Sequence, residues 1–508
     1  MAKQQNDLVE KPKRGRKKKE TVDASEPQLL TSLITPSGDT QEQLDFIKAD
    51  IKSSIILKAT AGSGKTASAT KRVRYLLDNG VDPKKIIFFS YTTAAVNEFK
   101  KRLNNEEVKI TTIHAFCLGM LSRMKKFKEV VDIYQFIDWY KEKFKPSFND
   151  SEETKADYYD LINQMYDEAQ YIGSAITAYK LQTADKIKCV VPKFYTEYRM
   201  FLREKKARDF SDMLIEINTL LSDNRWLNLF KGEYDHILID EGQDTSTIMM
   251  KILLRLNAPQ YTLILDTNQS IYQYSGANAD AVIAMLKARR ECKEMSLSIN
   301  FRSTPEIVEY TNKYSTLTAT AFKPSGGVVH KEIILLEDLV HILKDEPHTT
   351  VLVRTNSVIR EIEKKLMMRK VVMKYNNYLT AKECEMLKKA EARPSTMKKA
   401  KALLPVFKTI DNAIQFIEEC NSNPNVKSEV LTIHKSKGLE YPSVVLVNSI
   451  APELLTENKI ENLPEKKFKE ISFYNDDTDD PENFEAKNIF FVGTSRAIHT
   501  LRFMIYGV

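Results

Sequence analysis

The sequence is poor in the residues that would place it among disulfide-bonded, zinc-binding or membrane proteins. Its 508 residues include only five cysteines, without a C-x-x-C pair, so neither a disulfide framework nor a zinc site is indicated. No stretch approaches the ~20 uncharged apolar residues of a membrane helix, and the N-terminus lacks an apolar signal segment. We therefore expect a cytoplasmic protein with reduced core cysteines and no membrane partner.

The overall composition is typical of a soluble globular protein, with 42% hydrophobic and 29% charged residues. At about 150 residues per domain, a chain of this length is expected to form three or four domains. The net charge of +7 permits a polyanionic partner without proving one.

The first 35 or so residues are predicted to be a disordered basic tail, because they contain few large apolar residues and the run "KPKRGRKKK" at 11–19. Two interpretations remain open. The tail could track DNA phosphates, with "RGR" entering a minor groove, or it could be a solvated tail or a localisation signal.

Short apolar runs alternate with segments of helical periodicity through the rest of the chain. The runs are "SIILKA", "KIIFFS", "HILID", "YTLILD", "TVLVR" and "SVVLVN". Runs that are apolar on both faces and separated by helices are typical of parallel strands covered on both sides, so the predicted fold class is α/β. Two segments with helical spacing, about 118–205 and 375–425, are predicted to be helical insertions.

The stretch "ATAGSGKT" follows the first of these runs and precedes a helical pattern, which is the context of a phosphate-binding loop. Lys65 can reach the outer phosphates of a nucleotide, and the Thr66 hydroxyl can hold Mg²⁺. Backbone N–H groups can converge on phosphate oxygens at four small residues, which are Ala61, Gly62, Ser63 and Gly64. Two positions are unusual, since Ala59 replaces a glycine and Ala67 follows the Lys-Thr pair.

A second motif supplies carboxylates at the end of another strand, in "YDHILIDEGQDTS". Asp240 would hold Mg²⁺ through water, and Glu241 would orient or deprotonate the attacking water. Hydrolysis also needs groups that sense the γ-phosphate. The candidates are Gln269, Arg302 and Arg496.

The order of the motifs resembles the superfamily 1 helicases of the UvrD/Rep/PcrA type, over residues from about 40 to 508. The glutamine motif is similar to "TQEQLDFI", motif I to "ATAGSGKT", motif Ia to "FSYTTAAVNEFKKRL" and motif Ib to "TTIHAFC". Motif II resembles "LIDEGQDTS", and "RDFSDML" resembles the acidic segment before it. Motifs III to VI resemble "LDTNQSIYQYSGA", "LSINFRS", "LTIHKSKGLEYPSVVLV" and "FFVGTSRA".

The resemblance implies roles for further residues. Gln43 would read the adenine, Phe301 would stack on it, and Glu440 would contact the nucleotide. Gln269, Arg302 and Arg496 would sense the γ-phosphate. The positions that would contact DNA are Tyr91, Thr92, His114, Tyr272, Tyr274, Thr432 and His434. Stacking on aromatic rings can hold successive bases at ~1–3 kcal/mol each without reading their identity.

The implied architecture is two RecA-like, parallel-sheet domains with ATP and Mg²⁺ between them. Domain 1A would comprise 36–113 and 206–285, interrupted by a helical insertion 1B at 114–205. Domain 2A would comprise 286–374 and 426–508, interrupted by a reduced insertion 2B at 375–425.

The implied function is an ATP-dependent 3′ to 5′ DNA helicase that acts on single-stranded and tailed duplex DNA in replication, repair or recombination. Proteins of those processes are expected as partners, and the cytoplasm would be that of a host if the chain is phage-encoded. Two alternatives remain, a translocase that displaces proteins without unwinding duplexes and an ATP-binding, DNA-binding switch. An RNA helicase is the weaker alternative, because the sequence offers no separate RNA-binding module.

The sequence departs from the family pattern in four respects. Ala67 replaces an arginine that covers one face of the adenine, which predicts looser discrimination among NTPs. Tyr274 and Ser275 replace the Trp-Arg pair of motif III, which predicts a weaker strand contact. Insertion 2B is short, and the chain ends soon after motif VI. We expect the basic tail to substitute in part for the missing duplex contacts.

Overall fold

A computed structural model describes residues 34–35, 38–272, 276–392, 394–450 and 481–507. The predicted basic tail lies almost entirely outside these residues, as do Tyr274 and Ser275. Residues 1–41 and 42–508 are two separate units. In the first unit, Ile34 and Thr40 form an antiparallel bridge.

Six strands form the first sheet of the second unit. They are β1 (Ser54–Ala59), β2 (Ile86–Ser90), β3 (Lys109–Thr112), β4 (His236–Ile239), β5 (Gln260–Leu265) and β6 (Cys292–Leu297). Their order is β3-β2-β4-β5-β1-β6, and every pairing is parallel. The predicted parallel α/β class is therefore confirmed for this half of the chain.

Both faces of the first sheet are covered, as expected for apolar runs without polar alternation. Successive side chains of a strand point to opposite faces, and β2 shows the consequence. Ile87 and Phe89 pack into one hydrophobic core, whereas Ile86 and Phe88 pack into the core on the other face.

The second sheet contains five parallel strands. They are β9 (Val328–Ile334), β10 (Thr349–Val353), β11 (Glu429–Thr432), β12 (Tyr441–Ile450) and β13 (Ala497–Gly507), in the order β11-β10-β12-β13-β9. Two short strands, β7 (Ile299–Asn300) and β8 (Thr320–Ala321), pair with each other in parallel. Along the chain they lie between the strands of the first sheet and those of the second. Parallel strands need crossover connections, and helices supply them.

The helices before and around the first sheet are α1 (Gln41–Ile47), α2 (Lys65–Asp78), α3 (Thr93–Leu103), α4 (Ile113–Arg123), α5 (Ile133–Lys143), α6 (Glu152–Asp167), α7 (Ala169–Ala184), α8 (Tyr195–Lys205), α9 (Phe210–Leu220), α10 (Asn224–Leu227), α11 (Thr247–Arg255) and α12 (Ala279–Lys287). Those of the second half are α13 (Pro305–Asn312), α14 (Leu336–Asp345), α15 (Asn356–Met368), α16 (Ala381–Lys388), α17 (Pro394–Lys401), α18 (Leu404–Phe407), α19 (Ile410–Ser422) and α20 (Pro481–Thr494). Short 3₁₀ turns occur at Pro83–Lys85, Gly242–Asp244 and Thr267–Gln269. No helix in these described ranges is long and apolar enough to cross a membrane.

The first insertion has a hydrophobic core of its own. Phe136, Ile162, Ile176 and Phe201, from helices α5 to α8, pack together in this core. Helix α9, which follows the insertion, instead packs against α4 and α11 in the core of the first sheet.

The second insertion is built differently. Side chains from this segment, including Cys384, Leu403 and Ile414, belong to the same core as Val351 and Val445 of the second sheet. The segment predicted as a reduced 2B therefore covers one face of its parent domain and has no separate core among the described residues.

The first sheet also extends beyond the predicted end of domain 1A at residue 285, because β6 pairs in parallel with β1. Strand β6 lies at the edge of the sheet, and its sequence "CKEMSL" is half polar. All five cysteines are free; Cys117, Cys384 and Cys420 are buried, while Cys189 and Cys292 are half-buried.

Candidate functional site

The phosphate loop connects β1 to α2. Gly62 and Gly64 have φ values of 73° and 76°, a conformation that glycine adopts without steric cost. Gly64 is the N-cap of α2, so Lys65 and Thr66 occupy the first turn of the helix. The free N–H groups at this end and the helix dipole both favour an anion.

A segment from the second half of the chain lies against this loop. The Asn300 Nδ2 donates to the Ala61 carbonyl oxygen at 2.9 Å, and the Phe301 N–H donates to the Gly62 carbonyl oxygen at 2.9 Å. A Cβ on Gly62 would lie 2.7 Å from the Cβ of Arg302, so this close approach requires glycine. The phosphate loop and the segment of residues 300–302 are therefore in direct contact.

The acidic motif lies beside the start of α2. The Thr66 hydroxyl donates to Asp240 Oδ2 at 3.3 Å. Burial, with a further contribution from the neighbouring Glu241 carboxylate, raises the pKa of Asp240 to about 7. Hydroxyl and carboxylate oxygens are hard ligands suited to Mg²⁺, and a nearby cation would favour the ionised acid, so these two residues fit the predicted metal.

Glu241 has a strained backbone, with a φ of 52° that residues other than glycine rarely adopt. Its carboxylate accepts a hydrogen bond from the Gln243 side chain and lies 3.9 Å from Lys437 Nζ. Burial acts to raise the pKa of Glu241, but the charges of Lys437 and Lys65 outweigh it and hold that pKa below its ordinary value. The carboxylate is therefore charged and held in place.

Two of the three predicted phosphate sensors, Gln269 and Arg496, belong to one network. Gln269 donates to Asp266 Oδ2 at 2.6 Å, and Lys65 Nζ lies 3.7 Å from the same oxygen. Arg496 Nη2 donates to Gln269 Oε1 at 3.2 Å. The network thus joins the phosphate-loop lysine to an arginine of the second domain.

Two arginines of the second domain approach the site. Arg496 is only 1% exposed, and burial, followed by the charge of Arg302, lowers its pKa to about 9. Arg302 Nε donates to Glu440 at 2.9 Å, and its Nη1 donates to the Ser495 carbonyl oxygen at 3.2 Å. Two neighbouring cations with so few acidic partners are suited to a bound polyphosphate.

The residues predicted to contact the adenine and the rest of the nucleotide are Gln43, Phe301 and Glu440. The Gln43 side chain donates to the Ser63 carbonyl oxygen at 3.2 Å and is buried. The Phe301 ring packs against Phe322 at 5.1 Å, and Glu440 is half-exposed beside Arg302. Ala67 is exposed in the first turn of α2.

A cleft of about 660 Å³, which we call the strand cleft, adjoins the acidic motif. Five of the residues predicted to contact DNA line it, and they are Tyr91, Thr92, Tyr272, Thr432 and His434. The Tyr91 and Tyr272 rings stack with centroids 5.0 Å apart, and His434 lies 5.7 Å from the Tyr272 ring. Glu241 and Asp244 line the same cleft.

His114 does not line the strand cleft. It faces a small adjoining pocket with Tyr91 and Glu241, and its ring contacts Phe210 edge-on at 5.3 Å. Burial lowers the pKa of His114 and also that of His434, so both rings are neutral near pH 7. Tyr274 lies outside the described residues.

Sequence reasoning missed Lys437, although it lies within the quoted motif V. Its ammonium donates to Asp244 Oδ2 at 2.5 Å and to the Gln269 carbonyl oxygen at 2.8 Å, and it lies 5.1 Å from the Tyr272 ring centroid. Its side chain is 8% exposed. The signal available in the sequence was a lysine in a motif that already supplied residues to both sites.

Sequence reasoning also missed the wall that the first insertion contributes. Gln170, Gly173, Ser174 and Thr177 of α7 line the strand cleft. Their i, i+3, i+4, i+7 spacing places them on one face of the helix. All four are small or uncharged, so no charged or aromatic pattern marks this face of the helix in the sequence.

Comparison with known proteins gives a consistent result. Residues 39–290 match the UvrD/REP helicase N-terminal domain, and residues 384–507 match the UvrD-like helicase C-terminal domain. A probable DNA helicase of Mycoplasma pneumoniae is 24% identical over 483 residues, which cover 90% of this chain and 81% of the relative.

Two other relatives are matched over shorter regions. A probable DNA helicase II homolog of Mycoplasma capricolum subsp. capricolum is 28% identical over 281 residues, covering 50% of this chain and 38% of the relative. The ATP-dependent DNA helicase PcrA of Staphylococcus aureus is 25% identical over 289 residues, covering 54% of this chain and 39% of the relative. The chain thus spans roughly two fifths of the length of these two proteins.

Proposed function

The chain belongs to the UvrD/Rep/PcrA type of superfamily 1 helicases, and on this premise we propose that it is an ATP-driven 3′ to 5′ DNA helicase. It would move along single-stranded DNA and unwind tailed duplexes in the cytoplasm, during replication, repair or recombination. Proteins of those processes would be its partners.

One observation carries this proposal: the strand cleft and the nucleotide site share residues. Glu241, the candidate base, lines the cleft together with Tyr91 and Tyr272. A motor must link each hydrolysis event to a change of grip on its track, and adjacent sites permit this over a short distance.

In the proposed reaction, Lys65 and the backbone of residues 61–64 bind the phosphates of ATP. Thr66 and Asp240 would hold Mg²⁺, which would neutralise charge on the phosphate oxygens. Glu241 orients the attacking water and accepts its proton. Gln269, Arg302 and Arg496 contact the γ-phosphate and stabilise the charge that develops there.

Lys437 would transmit strand binding to the nucleotide site. It touches the Gln269 carbonyl and Asp244 on one side and the Tyr272 ring on the other. A base that separates Tyr272 from Tyr91 would displace the ring over Lys437, and Lys437 would shift against the residues of the acidic motif. DNA-stimulated ATP hydrolysis is the expected consequence.

The decisive experiment compares unwinding of 3′-tailed, 5′-tailed and blunt duplexes with ATP, with Lys65→Ala as the inactive control. We expect separation of the 3′-tailed duplex alone. Separation of the 5′-tailed duplex alone would contradict the 3′ to 5′ polarity. ATPase activity that single-stranded DNA does not change would contradict the proposal that hydrolysis drives movement along DNA.

A second candidate is a translocase that displaces proteins without unwinding. The helices of 381–422 favour it, because they cover the second sheet and form no separate body among the described residues to engage a duplex. Displacement of streptavidin from a biotinylated single strand, with no separation of a tailed duplex, would establish this activity in place of the first.

A further inference from the structure

A second groove, of about 540 Å³, lies on the first domain beside helices α10, α11 and α12. Its floor contains Leu227, Leu254 and Met285, which are half-buried and pack against the core of the first sheet. The apolar surface is therefore an outward continuation of that core, left accessible between three helices.

The rim of this groove is positively charged. Lys231, Lys251, Arg255 and Arg289 line it, and among the residues that the structure describes no aspartate or glutamate does. Lys251 is paired with Asp185 at 2.5 Å, and Arg255 donates to the Leu221 carbonyl oxygen at 3.3 Å. Lys231 and Arg289 are exposed and have no carboxylate partner among the described residues. The rim thus presents at least two cations available to an anionic ligand.

The groove is distinct from the machinery described above. None of its lining residues lines the strand cleft or belongs to the nucleotide site. Helix α11 separates the two regions, since Met249 near its start faces the small pocket beside Tyr91, whereas Lys251 and Leu254 face the groove. A ligand here could bind while the motor is engaged on DNA.

We propose that this groove binds an acidic peptide segment of a partner protein, with an apolar side chain on the floor and carboxylates on the rim. Arginine and lysine clusters recognise acidic motifs in this way, and an apolar anchor gives such contacts their position. A nucleic-acid duplex would offer phosphates to the rim, but its bases stay stacked inside the helix and cannot cover Leu227, Leu254 and Met285.

The test uses the full chain and a fluorescein-labelled synthetic peptide of Asp and Glu residues that carries one Phe and one Leu. Binding is measured by fluorescence anisotropy, with Lys231→Glu/Arg289→Glu as the variant and Lys52→Glu/Lys344→Glu, at exposed lysines elsewhere, as the matched control. The basic tail is present in all of these proteins, so its contribution cancels.

We expect the groove variant to bind the peptide at least about tenfold more weakly, while the control variant and the DNA-stimulated ATPase of both stay unchanged. Met285→Gln should also weaken binding, and a peptide without Phe and Leu should not distinguish Met285→Gln from the unmodified protein. Equal affinity of the two charge variants for the peptide would overturn the proposal. So would a loss of duplex DNA binding in the groove variant with peptide binding intact, which would make the groove a nucleic-acid surface.

Discussion

The nucleotide site and the strand cleft lie side by side but differ in how far their side chains are buried and bonded to one another. In the nucleotide site the polar groups are buried and bonded to one another, as Arg496 is to Gln269 and Gln269 to Asp266. In the strand cleft the aromatic groups are partly open to solvent, and Tyr91 is 36% exposed. The side chains of the nucleotide site are therefore held in place before a ligand binds, whereas the strand cleft is open enough to admit a polymer chain.

The chemistry of the two proposed ligands, a nucleotide and a DNA strand, accounts for the difference. Charge that develops during phosphoryl transfer is best stabilised by groups that are already oriented and shielded from water. Bases are held by stacking, which tolerates any sequence and can be broken one base at a time. Lys437 lies between the two sites. Its side chain is buried like the polar groups of the nucleotide site, and it contacts the Tyr272 ring of the strand cleft.

The largest test of this contrast is Glu241→Gln. Removal of the candidate base should lower kcat of the DNA-stimulated ATPase by about 10²–10⁴-fold, while affinity for single-stranded DNA is retained. Steady-state kinetics and an anisotropy titration measure the two quantities, with Glu233→Gln as the control at a carboxylate outside both sites. An unchanged kcat would remove Glu241 as the base.

The strand cleft should respond in the other way. Tyr272→Ala removes a stacking surface, and we expect DNA binding to weaken by about 1–3 kcal/mol while DNA-independent ATP hydrolysis persists. Tyr272→Phe is the matched control, because it keeps the ring and should bind nearly as the unmodified protein does. Equal weakening by Phe and Ala would mean that the hydroxyl matters and that stacking does not.

Motif residues were predictable because each group is contiguous in sequence and occurs at the end of an apolar strand. Asp240 and Glu241 follow β4, and Lys65 follows the loop after β1, so the parallel sheet brings them to one edge. The four strands of the first sheet that were predicted are apolar runs. The two edge strands, β3 and β6, were missed, since an edge strand has a neighbour on one side only and the sequence of each carries charge.

The features that could not be predicted from the sequence depend on contacts between distant segments of the chain. Whether an insertion has its own core or shares that of its parent is decided by which faces pack, and both insertions show similar helical periodicity. The contact of Lys437 with Asp244 joins residues far apart in the chain. The residues next to a lysine in the sequence do not indicate which distant residue it will contact. The same holds for the stack of Tyr91 on Tyr272.

The link between the two sites is tested by Lys437→Met, which keeps the length of the side chain and removes its charge. We expect the stimulation of ATP hydrolysis by single-stranded DNA to fall about tenfold, a coupling loss of order 1–2 kcal/mol. Lys437→Arg should restore part of it. Equal loss of the basal and the stimulated rates would instead mean that Lys437 acts by keeping Glu241 charged, and it would contradict the coupling role.

The smallest expected effect concerns an exposed position beside the phosphate loop. Ala67 is exposed on the first turn of α2, so the adenine would have Phe301 on one face and no arginine on the other. Ala67→Arg should lower KM for ATP relative to GTP by a few-fold, in line with an exposed cation–π contact of about 0.5–1 kcal/mol. Ala67→Lys is the control for charge alone, since a planar guanidinium stacks better than an ammonium. KM values that are the same in Ala67→Arg and in the unmodified protein, with both nucleotides, would show that base selectivity is set elsewhere.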